Sequence, residues 1–290
     1  MALTTARINE ILKKHGFSFT KSVGQNFLIN PSVPPKMAAA SGCGGIGVLE
    51  IGPGAGMLTC QLAEYAKKVV AVELDKRLAP VLAETVGGFG NVEVVFSDAL
   101  KLDLPAFLKE HFANMPVVIC ANLPFYISTE LIMRFLESGA KVKGITVLLQ
   151  KELAARLNRA PPCRDCGAVS MMVHYRSRPE ILFDVSRGSF LPAPNVDCQV
   201  MRLNIYDEPP VRAANEAVFF SVVRAAFGQR RKTLLNSLSI LEGGEERTGN
   251  AGKEKAAAVL AAAGIDPQKR AEQLSLADFC RIADAIVNSQ

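Results

Sequence analysis

Gly47-Val48-Leu49-Glu50-Ile51-Gly52-Pro53-Gly54-Ala55-Gly56 reads as a short apolar strand that runs straight into a glycine turn. A helical pattern follows from about Met57 to Lys67, so the turn lies where a strand hands over to a helix. The glycines permit tight backbone geometry and close approach of a ligand. Their spacing is G-x-G-x-G, whereas dinucleotide-binding turns carry G-x-G-x-x-G. Glu50 stands inside the strand, just ahead of the turn. A carboxylate there disfavours a pyrophosphate and suits an ammonium group, which points to a cofactor with an amino-acid end, such as S-adenosylmethionine. A purely structural turn would use the same glycines.

Downstream the pattern repeats. Val69 to Val72 form a second strand ending at Glu73, 21 residues beyond Gly52, where an acid is placed to accept from the ribose hydroxyls of an adenosine. Val92 to Phe96 form a third, followed by Asp98, a candidate acceptor for an adenine amino group. Either acid also suits a helix cap or a solvated loop. The run Pro116 to Cys120 is a fourth strand, and it delivers Ala121-Asn122-Leu123-Pro124-Phe125-Tyr126 to the sheet's carboxyl edge, where open α/β sheets bind ligands. An amide and backbone carbonyls accept from an amino group, and an aromatic ring stacks on a planar base. The plainer alternative is a proline turn with Phe125 plugging the core. Lys143 to Gln150 give a fifth strand with a helix through about Asn158, and Val169 to Tyr175 and Cys198 to Leu203 give a sixth and seventh. Between these two lies the stiff segment Phe190 to Asp197, which presents another ring, Phe190. Seven strands with crossover helices predict an α/β, doubly wound, Rossmann-like sheet.

Ahead of this unit, Thr5 to His15 has the apolar spacing of an amphipathic helix, and the irregular segment Phe19 to Leu28 suits a loop that closes over a ligand with Asn26 and the backbone near Leu28. Behind it, the linker Asn204 to Pro210 divides the chain into domains at 1–203 and 204–290. Beyond the linker the pattern is helical, over Ala213–Phe227, Gln229–Leu241, Lys253–Ala263 and Ser275–Val287, with a loop at Gly243 to Asn250. No run is long and apolar enough to span a membrane, and Met1 to Asn30 holds no apolar signal core. Seven cysteines without a framework suggest reduced thiols in a cytoplasm. A single Cys163-x-x-Cys166, with His174 the nearest imidazole, is a weak metal or redox signal, and no metal is expected.

The formal charge of +5 is unevenly placed: residues 1–203 carry 22 Lys and Arg against 17 Asp and Glu, while residues 204–290 balance at 11 each. Concentrations at Arg7, Lys13, Lys14, Lys21 and Lys36, and at Lys151, Arg156, Arg159, Arg164, Arg176 and Arg178, would attract phosphate backbones or serve as solvated surface. The local cluster Arg230-Arg231-Lys232 allows the same two readings, a phosphate contact or a solvated helix face.

Together, Gly24-Gln25-Asn26-Phe27-Leu28, Glu50 to Gly54, Asn122 to Phe125, Phe190-Leu191-Pro192-Ala193-Pro194 and Phe227 to Leu234 resemble the ribosomal RNA adenine N6,N6-dimethyltransferases over nearly the whole chain. The likeness is strongest to the bacterial small-subunit (16S) branch. It implies a seven-stranded S-adenosylmethionine-dependent methyltransferase domain and a smaller all-α C-terminal domain that binds RNA or the ribosome. It implies S-adenosylmethionine at Asn26, Leu28, Gly52, Glu73, Asp98 and Asn122, beside the cradle of Glu50, Gly54 and Gly56. It also implies a reacting centre at Asn122, Leu123, Pro124, Phe125 and Phe190, and RNA contacts at Arg230, Arg231 and Lys232. The implied target is a pair of adjacent adenosines near the 3′ end of small-subunit rRNA in a pre-30S particle, each methylated twice by a cytoplasmic monomer. Erythromycin-resistance enzymes, which modify large-subunit rRNA, share the catalytic motif. DNA or protein-amide methylation and a non-catalytic RNA-binding assembly or transcription factor are further alternatives. Tyr126 and the Cys163–Cys166 loop depart from the family pattern.

Overall fold

The computed structural model describes residues 3–19, 26–242 and 250–289. Lys21, Gly24, Gln25 and most of the expected loop at Gly243 to Asn250 lie outside them. The strands are β1 (Phe27–Leu28), β2 (Gly47–Ile51), β3 (Lys68–Glu73), β4 (Val92–Phe96), β5 (Val117–Asn122), β6 (Ile145–Gln150), β7 (Ser177–Val185), β8 (Phe190–Leu191) and β9 (Cys198–Ile205). The helices are α1 (Thr5–Lys14), α2 (Val33–Ser41), α3 (Met57–Tyr65), α4 (Ala79–Val86), α5 (Leu104–Phe112), α6 (Ser128–Glu137), α7 (Lys151–Asn158), α8 (Ala168–Arg176), α9 (Glu216–Gly228), α10 (Leu234–Glu242), α11 (Asn250–Ala262) and α12 (Leu276–Asn288).

Seven strands pair in the order β4-β3-β2-β5-β6-β9-β7. β4, β3, β2, β5 and β6 are parallel, and their residues are the near-continuous Val, Ile and Leu runs of a sheet covered on both faces. The chain order reverses between β2 and β5, which makes their carboxyl ends the topological switch point. β9 runs antiparallel to β6 and pairs Cys198 with Gln150 at the carboxyl end of β6. That direction brings the segment before β9, including Phe190, to the same edge as Asn122.

One strand differs from expectation. Val169 to Tyr175 is part of α8, and the remaining strand is β7. Val169, Met171, Met172, Val173 and Tyr175 are all buried, so this run carries no polar face to reveal its period. Pro179 marks β7 against a central position, and β7 indeed sits at the sheet's edge.

The chain divides into two compact units, 1–155 with 179–205 and 156–178 with 206–290. The linker lies close to the expected boundary, but residues 156–178 group with the helical unit. Tyr175 is fully buried there, its ring stacked on Phe219 at 4.3 Å and edge-on to Phe220 at 5.8 Å. Arg176 grips Glu216 through two nitrogens at 2.8 and 2.7 Å. A second correction concerns thiols: Cys163 and Cys166 form a disulfide, while Cys43, Cys60, Cys120, Cys198 and Cys280 are free and buried.

In the first unit α1 buries Ile8, Ile11 and Leu12, as its spacing predicts. Several cations expected to face phosphates are engaged within the chain. Arg7, Lys14 and His15 converge on Glu84 at 2.9, 2.8 and 2.8 Å, and Lys151 pairs with Asp184 at 3.1 Å. Lys36 sits 5.9 Å above the Phe183 ring.

The aromatic stack should hold the helical unit together. Phe219→Ala is expected to lower unfolding free energy by about 3–5 kcal/mol in urea titrations. A loss below about 1 kcal/mol would show that packing elsewhere secures α8 on α9.

Candidate active site

The carboxyl ends of β2 and β5 open into a cavity of about 940 Å³, counting the solvent at its mouth. The first wall is the glycine turn. Gly52 and Gly54 have φ of +69° and +57°, in the left-handed region that favours glycine. A Cβ on Gly54 would lie 3.1 Å from the Phe27 ring, so the turn is also the seat of the N-terminal segment. Gly56, with φ +86°, begins α3 and does not line the cavity; a Cβ there would meet Thr85 and Val86 at 2.8 Å.

Glu73, at the end of β3, is buried and shapes the turn itself. Its Oε2 accepts from the Gly54 N–H at 3.3 Å and its Oε1 from the Asp75 N–H at 2.8 Å. Burial raises its pKa above the ordinary value, and the two N–H donors oppose that shift. Asp98 lines the cavity and accepts from the Leu100 N–H at 3.0 Å, capping a single 3₁₀ turn.

Glu50 is the electrostatic anomaly. It is 1% exposed, lines the cavity floor, and its Oε2 has no hydrogen-bond partner among the described residues. Burial pushes its pKa from an ordinary 4.5 up to about 8; the Thr59 hydroxyl works against the shift and the charge of Glu73 adds to it. A buried acid with nothing to neutralise it is a demand for a cationic ligand.

The second wall comes from the end of β5. The Asn122 Nδ2 donates to the Asn26 carbonyl at 3.0 Å, and its Oδ1 is buried without a partner. Asn26 and Leu28 line the same cavity, and their segment is tied down behind it. Phe27 pairs with Leu191 and Leu28 with Phe190 in a two-residue antiparallel ladder. The N–H groups of Ile29 and Asn30 donate to the Ser189 carbonyl at 2.8 and 3.2 Å. Leu123, Pro124 and Phe125 complete this wall. Phe190 does not reach the cavity surface: it is 2% exposed and meets Phe125 edge-on at 6.3 Å.

Sequence reasoning missed Leu74, which lines the cavity while remaining 52% exposed; Tyr126, which it placed at this edge, lines it too and is 56% exposed. Leu74 follows Glu73 directly, and an apolar residue beside an acid at a strand's carboxyl end is a readable sign of an apolar wall. Tyr126 gave its signal as an aromatic after Asn-Leu-Pro-Phe. Arg230, Arg231 and Lys232 are exposed in the helical unit, in the turn between α9 and α10. Among the described residues no three His, Cys, Asp or Glu side chains converge to hold a metal ion.

A cradle of left-handed glycines, a buried acid awaiting a cation and an unpartnered amide oxygen suit S-adenosylmethionine beside an amino acceptor, which defines the class as methyltransferases using that donor. The pattern described as ribosomal RNA adenine dimethylase matches residues 16–288, and the chain belongs to that family. It is 45% identical over 287 residues to the ribosomal RNA small subunit methyltransferase A of Geobacillus thermodenitrificans, spanning 98% of this chain and 96% of the relative. The protein of that name from Alkaliphilus oremlandii is 44% identical, over 96% of this chain and 95% of its own. Among solved structures, a dimethyladenosine transferase from Plasmodium falciparum superposes with a TM-score of 0.69 at 25% identity, covering 88% of this chain and 95% of that one. The 23S rRNA methyltransferase ErmE gives 0.62 at 26% identity, covering 90% of this chain and all of that one.

Glu50 makes a signed prediction for the ligand-free protein. Its folded pKa lies above the unfolded value, so the stability it contributes as a neutral acid is complete below about pH 4.5 and is lost as pH rises toward 8. The fall amounts to roughly 5 kcal/mol across that window. Glu50→Gln, neutral at every pH, should flatten this part of the profile and leave the variant more stable than the parent at pH 8. Urea titrations at half-unit pH steps check it, and parallel profiles for the two proteins would refute the assignment.

Proposed function

We propose that this chain transfers methyl groups from S-adenosylmethionine to N6 of two adjacent adenosines near the 3′ end of small-subunit rRNA, giving N6,N6-dimethyladenosines during ribosome biogenesis. The observation that carries the reading is Asn122. Its amide nitrogen is held by the Asn26 carbonyl, its Oδ1 is buried without a partner, and the residue lines the cavity. The names of the relatives supply the RNA class, and small-subunit RNA in a pre-30S particle is the corresponding substrate proposed here.

The donor supplies a sulfonium methyl that is already activated. Asn26, Leu28, Gly52, Gly54, Glu73 and Asp98 are the groups proposed to hold it, with Glu50 facing its ammonium. An ammonium beside Glu50 favours the carboxylate, so binding releases a proton from a side chain that is otherwise neutral at pH 7.

Adenine N6 is a weak nucleophile because its lone pair is delocalised into the ring. Asn122 Oδ1 and the Leu123 carbonyl accept its N–H bonds, which lets N6 pyramidalise and aim the lone pair. Position and fixed dipoles then supply the catalysis, and no strong base is required. No histidine lines the cavity. A target base must leave its stack to reach this edge, and Phe125 offers a ring face beside Asn122. Phe190, packed edge-on behind Phe125, is proposed to back that ring and to meet the base when the two rings part. In the helical unit, Arg230, Arg231 and Lys232 are proposed to contact RNA phosphates. The enzyme is read as a cytoplasmic monomer; no described helix is long and apolar enough to cross a membrane.

Incubation with labelled S-adenosylmethionine and undermethylated small subunits, large subunits or DNA tests the assignment, with the label mapped by nuclease digestion and mass spectrometry. Label confined to N6 of small-subunit adenosines is the expected result, and label only in large-subunit RNA overturns it. Asn122→Ala should reduce transfer by at least about a hundredfold, the scale of losing one aligned polar group, while its circular dichroism and thermal midpoint match the parent. Full dimethylation by that variant would remove Asn122 from the mechanism.

A further inference from the structure

The thiols of this protein fall into two populations. Cys43, Cys60, Cys120, Cys198 and Cys280 are buried in the cores of the two units. Burial pushes Cys60 and Cys198 up to about 12 and Cys280 up to about 11, and raises Cys120 as well. Those four sulfurs are held protonated and all five are shielded, so they are poor nucleophiles. Cys163 and Cys166 are different. They are joined in a surface turn closed by the Cys166 N–H donating to the Cys163 carbonyl at 3.0 Å. Cys163 is half-buried and Cys166 is buried, so Cys163 is the member of the pair nearer to solvent. The surroundings are cationic: exposed Arg164 lies between the two cysteines, and Arg159 is ion-paired to Asp165 across the turn. Cys166 stands directly before Gly167, the N-cap of α8, with its Sγ 3.8 Å from the Arg159 carbonyl oxygen.

The turn also touches the cluster that the proposed function uses. The Arg230 Nη2 donates to the Arg164 carbonyl at 3.3 Å, and Arg164 is the residue whose backbone the disulfide constrains. A disulfide, a half-buried cysteine joined to a buried one, and a cation resting on the loop thus occur together in nine residues, 159–167, and at Arg230.

We propose that Cys163 and Cys166 form a reversible thiol–disulfide couple, exchanged with dithiols at Cys163, whose oxidised state holds Arg230 against the loop and whose reduced state releases it. In the reducing direction a thiolate of the dithiol attacks Cys163 Sγ. The S–S bond breaks, and its electron pair leaves on Cys166 Sγ, which takes a proton from water. The second thiolate of the dithiol then attacks the dithiol's own sulfur in the mixed disulfide and expels Cys163 as a thiolate, which takes the second proton from water. The protein gains two electrons and two protons, and the dithiol becomes a cyclic disulfide. Oxidation by a disulfide is the reverse.

Release of the loop frees Arg230 to reach a phosphate. This consequence rests on the reading that the Arg230 cluster contacts RNA; the couple itself does not.

The full-length protein is equilibrated in mixtures of reduced and oxidised dithiothreitol, quenched with acid, alkylated and mapped by mass spectrometry. Cys163 and Cys166 should titrate together as one two-electron couple while the five buried cysteines stay unlabelled in the folded protein. In Cys166→Ser a small disulfide reagent should trap a mixed disulfide on Cys163, whereas Cys163→Ser should leave Cys166 largely unmodified. Labelling that spreads over all seven cysteines, a pair that stays reduced across the range, or equal trapping in the two variants would overturn the couple. Filter binding to small-subunit rRNA should then give roughly two- to tenfold tighter binding for the reduced protein, the size of one typical net hydrogen bond. The double variant Cys163→Ser/Cys166→Ser should bind like the reduced protein at any poise. Equal affinity of the two states, or tighter binding when oxidised, would sink the link to Arg230. Dimethylation of small subunits by the same preparation separates the two readings: activity with redox-blind binding rejects only the link, and absence of methylation rejects the proposed function while the alkylation pattern still judges the couple.

Discussion

A single hydrogen bond, from the Asn122 side-chain nitrogen to the Asn26 carbonyl, orders the site. An asparagine amide has two chemically opposite ends, and a wall that fixes one end decides what the other can do. Here one N–H of the donor end is engaged inside the protein, while the acceptor end is buried and left without a partner. The same bond joins a residue at the carboxyl end of β5 to a segment 96 positions earlier in the chain. That segment is pressed on the glycine turn through Phe27 and paired to Phe190 through Leu28, so the donor wall, the acceptor amide and the aromatic rings form one connected structure. None of these pieces is positioned by its own secondary structure alone.

The second organising fact is a cost. Glu50 is buried in the central strand β2, where a charge would have no partner and Glu73 nearby would add to the penalty of ionising it. A hydrophobic residue at the same point would give a more stable protein. Keeping a carboxyl there stores free energy that a cationic ligand recovers when it arrives. Stability is surrendered at the place where binding restores it.

Much of this could be read from the chain. The apolar runs at β2, β3, β4, β5 and β6 announced a buried parallel sheet, and the acids and glycines at their ends marked its active edge. Asn122 was readable because Pro124 ends the strand and leaves the amide there. The failures have physical causes. α8 was mistaken for a strand because a helix buried on every side shows no period, and β7 was hidden by Pro179, which only an edge strand tolerates. The disulfide depends on two sulfurs meeting across a turn, which a spacing allows but does not compel. Gly56 carries the same residue type as Gly54, yet faces Thr85 and Val86 away from the cavity, a distinction set by tertiary packing alone. Partnerships such as Glu84 with Arg7, Lys14 and His15 likewise appear only once α1 meets α4.

The ladder between β1 and β8 has a consequence for the order in which the protein becomes itself. Leu28 finds its partner Phe190 only after 162 further residues have been made. At translation speeds of about 5–20 residues per second, the amino-terminal strand waits roughly 8–30 s for the backbone it must pair with. Closing so long a loop early would cost entropy before any contact repays it. The strands β2 to β6 are therefore available to pair first, and the wall built from β1 and β8 is fastened only after them. A ribosome engaged in making this enzyme carries a nascent chain whose sheet can be complete through β6 while its catalytic edge is still open.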